Sequence, residues 1–158
     1  MANDFALRLF KLLREKQFTI AVSESVTGGA IAKALTDIPG ISEVFLGGIV
    51  AYSPFAKIHI LGVPKGMVEK LGTVDPKIAE AMAEKTKEIF KSDVVVATTG
   101  IAGPDPIEGK PVGLVYIGVT IHEKTTVFEH NFQGERNIIG DNIVLFAFKH
   151  CVELLEGG

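Results

Sequence analysis

The apolar positions of this chain change period from one segment to the next, and the changes divide it into elements. From about Asp4 to Lys16, residues Phe5, Leu9, Leu12 and Leu13 recur at three- and four-residue spacing, which predicts a helix with one buried face. "FTIAV" (18–22) is a short continuous apolar run and predicts a buried strand. A second helix is predicted to begin near Thr27 and to run through "GGAIAKALTD" until Pro39-Gly40 stops it. "VFLGGIVAYS" (44–53) reads as another buried strand, in which Gly47-Gly48 mark a bulge or a close approach of two backbones. Pro54 suits the first turn of a helix over "PFAKIHIL" (54–61), and "PKGMVEKLG" predicts a further short one. Ile78, Met82 and Ile89 give Pro76 to Phe90 a helical face.

The second half turns to strands. "DVVVATTG" (93–100) is β-branched and uncharged after its first residue, as a central strand should be. "PVGLVYIGVTI" (111–121) and "TTVFEHNF" (125–132), joined by a three-residue turn at His122–Lys124, predict a hairpin. Ile139, Ile143, Phe146, Ala147, His150 and Leu154 keep a helical period in a last helix from about Glu135 to Glu153. Strands that alternate with helices pair in parallel, whereas a hairpin forces an antiparallel strand. The fold class is therefore α/β: a three-layer α/β/α sandwich on a mixed, mostly parallel five-stranded sheet.

Composition narrows the classes. With 158 residues the chain is expected to be a single domain over 1–158, and 47% apolar residues point to a subunit interface as well as a core. The longest apolar runs are too short to span a bilayer, and the mixed charges of "MANDFALRLFKLLREK" fit neither a signal nor a transit peptide. A net charge of −3 argues against a nucleic-acid binder. The lone Cys151 lies in the last amphipathic segment and reads as a buried, inert thiol in a cytoplasmic protein. The four histidines show no metal-ligand spacing, so no metal is expected.

In open α/β sheets, ligands bind beyond the carboxyl ends of the strands. Three stretches follow predicted parallel strands and should converge there. "SESVTGG" (23–29) offers Ser25 as a hydroxyl in a turn, Thr27 as a helix cap, and the amides at Gly28 and Gly29 for an anion. The rival reading makes all its hydroxyls ordinary turn and cap residues. "YSPFAK" (52–57) offers Tyr52 at a strand end and Lys57 about one turn past Ser53. A lysine made neutral by burial can activate a serine without any histidine; a solvated lysine cannot. "TTGIAGPDPIEGKP" (98–111) is long and glycine-rich, with Thr99, Gly100, Gly103 and Lys110 as anion or oxyanion contacts, or else a plain connector. Arg136, in "FQGERN", is either a phosphate clamp or a surface charge.

Taken together, "SESVTGG", "GGIVAYSPFAK", "TGIAGPD" with "KPVG", and "FQGER" occur in the order and at the spacing of one family. The chain closely resembles the C-terminal domain of the competence/damage-inducible protein CinA, and the likeness runs from the first helix to the last. Stand-alone members of that family are nicotinamide mononucleotide deamidases. The resemblance implies hydrolysis of the carboxamide of nicotinamide mononucleotide to nicotinic acid mononucleotide and ammonia, with no cofactor. It implies Ser25 as nucleophile, Lys57 as its activating base, Tyr52 in the pocket wall, and Thr99 near the reacting group or ribose. It further implies Arg136 as a substrate contact and a homodimer or higher homo-oligomer, with no nucleic-acid or membrane partner. Larger relatives carry an N-terminal domain for which this length leaves no room. The chain departs from the family pattern at Val26, where cysteine is frequent, at Glu135, an aspartate elsewhere, and at Gly140, roughly where a second arginine usually stands. The Gly140 departure leaves one alternative: a catalytically weak or inactive nucleotide-binding module of the same fold.

Overall fold

The computed structural model describes residues 2–157. Its elements in chain order are helix α1 (Ala2–Lys16), strand β1 (Ile20–Glu24), helix α2 (Ala30–Thr36), strand β2 (Phe45–Val50), and helices α3 (Lys65–Leu71) and α4 (Pro76–Phe90). Strands β3 (Val94–Gly100), β4 (Leu114–Ile121) and β5 (Lys124–Asn131) follow, then helix α5 (Arg136–Gly157). The strands form one sheet in the order β2-β1-β3-β4-β5. β1 pairs in parallel with both β2 and β3, and β4 runs antiparallel to β3 and β5. Four strands thus point one way and β4 opposes them, in the mixed five-stranded α/β arrangement the sequence predicts.

Side-chain alternation along the strands builds two cores. Val94 and Val96 of β3 pack with Leu9 and Leu13 of α1, Ile31 and Leu35 of α2, and Ile143 and Phe148 of α5. Val95 and Ala97 face the other way, onto Ile78 and Met82 of α4 and Leu61 and Val68 before it. Because both faces are covered, the central strands read as unbroken apolar runs. Asp75 caps α4 by accepting the Lys77 amide at 2.9 Å, and Pro76 supplies the first turn.

Where β2 meets β1, the pairing steps from Ile20↔Phe45 to Ala21↔Gly47, leaving Leu46 as an extra residue. Next to it, a Cβ on Gly48 would lie 2.6 Å from Val22 Cγ2, so this pair of strands needs glycine for its close approach. At the other edge, β5 is tied to α5 by rings: Phe128 stacks on His150 with centroids 3.7 Å apart, and His130 Nε2 lies 2.8 Å from His150 Nε2. Burial, with His130 beside it, pushes His150 down to about 4, so this contact is made by neutral imidazoles. Cys151 is fully buried and its thiol is pushed up to about 12 by that burial, which accounts for an inert cysteine. No described helix is long and apolar enough to cross a membrane.

Several boundaries differ from the sequence reading, and four of the differences have a clear local cause. β1 begins at Ile20 rather than residue 18 and extends to Glu24, which places Ser23 inside the strand rather than in a turn. α2 begins at Ala30, not at Thr27, because Gly28 and Gly29 take φ values of 62° and 110° and keep the chain in turns. The segment over 54–61 closes as a wide π-type turn, Ala56–Leu61, ended by Gly62 in the left-handed region. The hairpin loop has two residues, His122 and Glu123, since Ile121 pairs directly with Lys124; His122 adopts a φ of 54° to make it.

Two glycines should respond oppositely to alanine. Gly113 has a φ of 93°, donates its N–H to Ile101 O at 2.7 Å, and leaves no room for a methyl beside the Phe132 carbonyl. Gly113→Ala is expected to cost about 3 kcal/mol or more. Gly140 sits within α5, and a methyl there meets nothing within 4 Å; Gly140→Ala should gain about 0.5–1 kcal/mol. Denaturant unfolding of both variants checks this, and equal effects would refute the packing argument.

Candidate active site

The carboxyl ends of β1, β2 and β3 lie side by side, and the segments leaving them build the site. β1 delivers Ser25 one residue past its end, with its side chain buried. After β2 the chain turns through "YSPF" into the π-type turn. Such turns are rare and recur at functional sites, because the widened ring re-aims the side chain it carries. Here it carries Lys57, whose carbonyl accepts the Val63 amide at 2.8 Å.

Lys57 is 1% exposed. Its Nζ donates to Ser25 Oγ at 2.7 Å and to the Ala51 carbonyl at 2.9 Å, with the Tyr52 carbonyl at 3.5 Å. These partners are neutral, so nothing in direct contact repays the cost of burying an ammonium ion. Burial accordingly pulls the Lys57 pKa down to about 8, against a smaller upward pull from the negative charge of Glu108. A useful fraction of the amine is then neutral near pH 7, within hydrogen-bonding reach of a serine hydroxyl. This pair satisfies the geometric and the protonic requirement for a serine–lysine nucleophile.

Glu24 explains why Ser25 is held so firmly. Its carboxylate is 1% exposed and accepts the Ile31 and Ala32 amides, each at 2.9 Å, together with the Thr27 hydroxyl at 2.6 Å. A carboxylate on the first amides of a helix satisfies otherwise unpaired donors and complements the helix dipole. Thr27 Oγ1 also lies 3.2 Å from Thr98 Oγ1, which ties the turn to β3. Thr27, Gly28 and Gly29 therefore serve to shape the turn. They do not line the cleft: the Gly28 amide, expected to meet an anion, donates to the Ser25 carbonyl at 3.1 Å, and Glu24 takes the first α2 amides.

The cleft itself has a volume of about 130 Å³. It brings together Ser25, Tyr52, Lys57, Thr99 and Arg136, with Gly100 and Gly103 in its wall. Arg136 donates through Nη1 to the Gly103 carbonyl and through Nη2 to the Tyr52 hydroxyl at 3.1 Å, which joins the start of α5 to two of the three loops. Thr99 Oγ1 donates to the Thr73 carbonyl at 2.6 Å. Lys110 does not line the cleft: its Nζ donates to the Leu71 and Val74 carbonyls, because the loop after β3 folds back over the α3–α4 turn. A wider groove of about 520 Å³ between α2 and α5 is lined by Lys33, Asp37 and Asp141, but it holds no paired nucleophile and base, so chemistry favours the smaller cleft.

The family profile of the CinA C-terminal domain matches residues 2–155. The chain belongs to the CinA C-terminal domain family. It is 45% identical over 150 residues to a putative competence-damage inducible protein of Caldanaerobacter subterraneus subsp. tengcongensis, covering 94% of this chain and 36% of that relative. A CinA-like protein of Thermotoga maritima is 40% identical over 148 residues, at 93% and 36% coverage. The chain thus spans about a third of the length of these curated relatives. Among solved structures, the competence/damage inducible protein CihA from Agrobacterium tumefaciens superimposes with a TM-score of 0.93 at 31% identity, covering 97% of this chain and 94% of that one. A CinA superfamily protein from Escherichia coli gives 0.94 at 28% identity, at 98% and 90% coverage.

Within this CinA-type domain, three contributors escaped the sequence reading. Glu24 was legible in principle, as an acid just ahead of a helix start. Thr73 and Asp105, which also line the cleft, carry no local signal, since only the packing of the α3–α4 turn and the β3–β4 loop puts them there. Ser23 lies in β1, fully buried, and among the described residues its Oγ is the one buried side-chain oxygen or nitrogen with no hydrogen-bond partner.

The buried amine makes a test of stability. An unfolded Lys57 returns to its ordinary value of 10.5, against about 8 in the folded chain. Between those values the unfolded chain binds the extra proton, so stability rises with pH there, by up to about 1.4 kcal/mol per pH unit from this group. Comparing urea unfolding of the unmutated chain and Lys57→Met across that window should show this rise in the former and its loss in the latter; identical pH slopes would refute it.

Proposed function

We propose that this domain is an amidohydrolase that deamidates nicotinamide mononucleotide through Ser25 and Lys57. The observation that carries the reading is the 2.7 Å contact between Ser25 Oγ and the amine of a lysine shifted by burial to about 8. A carboxamide is a poor electrophile and needs an activated nucleophile, a stabilised oxyanion and a proton for its leaving group.

The steps balance with these residues alone. Neutral Lys57 takes the Ser25 proton as Oγ bonds to the carboxamide carbon, and backbone N–H groups of the cleft wall, that of Val26 among them, hold the oxyanion. The C–N bond breaks as Lys57 returns the proton to the departing ammonia, leaving an ester on Ser25. Water then adds with Lys57 as base, the ester bond breaks, and Ser25 recovers its proton, releasing nicotinic acid mononucleotide. A cleft of about 130 Å³ is smaller than the roughly 300–1,000 Å³ that encloses a whole small ligand. It suits the reacting ring and amide, with ribose and phosphate lying outward toward Arg136. Remote binding of that phosphate would orient the amide against Ser25.

Gly140 supports a second reading. By the resemblance it stands roughly where the family's segment usually continues to a second arginine, and the lack of one favours a nucleotide-binding module of low activity. Ammonia release from nicotinamide mononucleotide decides between the two. Turnover should be present in the unmutated chain and fall by about 10³-fold or more in Ser25→Ala and Lys57→Ala. Its rate should climb with pH up to about 8, as Lys57 loses its proton. Absence of turnover in the unmutated chain would sink the amidohydrolase reading, and full activity in Ser25→Ala would remove the mechanism.

The β2 edge of the sheet also suits a second copy of the chain. Leu46 and Val50 on edge strand β2, and Tyr52, Phe55 and Ile60 after it, are all about half exposed or more. Apolar surface of this kind beside an open strand edge is characteristic of interfaces. A homodimer through this edge is part of the proposal. Leu46→Asp should turn a dimer into a monomer in sedimentation velocity, and a monomeric unmutated chain would rule the dimer out.

A further inference from the structure

The loop between β3 and β4 does more than wall the cleft. Its Glu108 reaches across to the turn between α3 and α4, where its carboxylate accepts four hydrogen bonds. Thr73 N donates to Oε2 at 2.9 Å and to Oε1 at 3.1 Å, Thr73 Oγ1 donates to Oε2 at 2.8 Å, and Val74 N donates to Oε1 at 3.3 Å. Lys110 Nζ stands 3.6 Å from Oε1 and also binds the Leu71 and Val74 carbonyls. Gly72 floors this seat with a φ of 81°, and a methyl on it would overlap the carboxylate. Glu108 itself holds a φ of 56°, in the left-handed region that a glutamate rarely adopts. That conformation belongs to the two-residue turn of Glu108 and Gly109 between Ile107 and Lys110, whose backbones exchange hydrogen bonds at 3.3 and 2.9 Å, and the turn carries the Glu108 side chain to its seat.

The seat leads directly to the reacting groups. Thr73, gripped by Glu108 at its N–H and hydroxyl, accepts the Thr99 hydroxyl at its carbonyl, and Thr73, Val74 and Thr99 all line the cleft. We infer that Glu108 is a positioning residue for the Ser25–Lys57 site: it latches the 101–113 loop onto the Gly72–Val74 turn, fixes the Thr73–Thr99 wall, and sets a negative charge in the field of Lys57. This rests on the amidohydrolase reading for its catalytic consequence, although the latch itself does not. The charged groups around the site are Glu24, Lys57, Asp75, Asp105, Glu108, Lys110 and Arg136. Glu108 raises the proton affinity of Lys57 against the opposing effect of burial. Its own carboxyl, pushed up by burial, is brought below the usual carboxylate range by the Thr73 and Val74 bonds and by Lys110, so it stays ionised while Lys57 titrates.

Two variants of the full chain test this. Glu108→Gln keeps the shape and removes the charge; Glu108→Ala removes the latch. In Glu108→Gln the midpoint of the Lys57 ε-methylene NMR titration, and the rising limb of any pH–rate profile, should move to lower pH. In Glu108→Ala, hydrogen exchange at the Thr73 and Val74 amides should quicken about tenfold or more while the β3 amides stay protected, and KM should rise about tenfold with a smaller change in kcat. Unchanged exchange at both amides, or an unchanged Lys57 midpoint, would overturn the inference. A lower KM in Glu108→Ala would also overturn it, by showing that Glu108 blocks an anion seat on the Gly72–Val74 turn. If the unmutated chain does not deamidate nicotinamide mononucleotide, the amidohydrolase reading fails, while exchange and NMR titration still decide on the latch.

Discussion

An amine buried against a serine hydroxyl is the interaction on which the rest of this structure depends. Lys57 is among the largest fully buried side chains of the domain, yet its direct partners are one hydroxyl and two carbonyls. Such a group is costly to bury in its charged form, and the fold holds it there by several separate devices. The π-type turn aims it, the end of β2 supplies its carbonyl acceptor, and β1 carries the serine to meet it. A single parallel arrangement of three strand ends serves all of these purposes, since parallel strands release their following segments at the same edge of the sheet.

The charges near the site divide the work. Glu24 is spent on the first amides of α2, so the turn holding Ser25 is tied to the helix and the anion site at that helix start is closed. Arg136 bridges the Gly103 carbonyl and the Tyr52 hydroxyl, and so ties α5 to the two loops that face each other across the cleft. Lys110 is committed to backbone carbonyls beneath the loop that carries it. Of the three cations once open to a role toward an anionic substrate or its reacting group, Lys57, Lys110 and Arg136, only Lys57 and Arg136 remain in the cleft.

The costs of this arrangement are local and recognisable. Ser23 keeps a buried hydroxyl without a partner, Lys57 a buried amine, and Glu108 a left-handed backbone. All three lie in the segments that build the site, whereas the two main cores that carry the domain consist of well-packed apolar residues. Left-handed backbone also occurs away from the site, at Gln17, Lys91 and His122, but the unpaired hydroxyl and the buried amine lie together at one edge of an otherwise consistent fold.

By itself the sequence determined the element types, the mixed sheet and the four stretches that meet at the site. Periodicity reports which faces are buried, and buried faces largely dictate an α/β layer order. It also singled out Ser25, Tyr52, Lys57, Thr99 and Arg136, which the fold brings into one cleft. Tertiary structure alone decided between rival roles. Whether Lys57 is a solvated cation or a buried amine depends on desolvation by neighbours distant in the chain. Whether Thr27 caps a helix depends on the left-handed glycines after it and on Glu24 reaching Ile31 and Ala32 first. Lys110 and Glu108 face the α3–α4 turn because a loop folded back, and no pattern within that loop encodes where it lands. Local order is written in short-range spacing, but proton affinity and hydrogen-bond partners are set by three-dimensional neighbours.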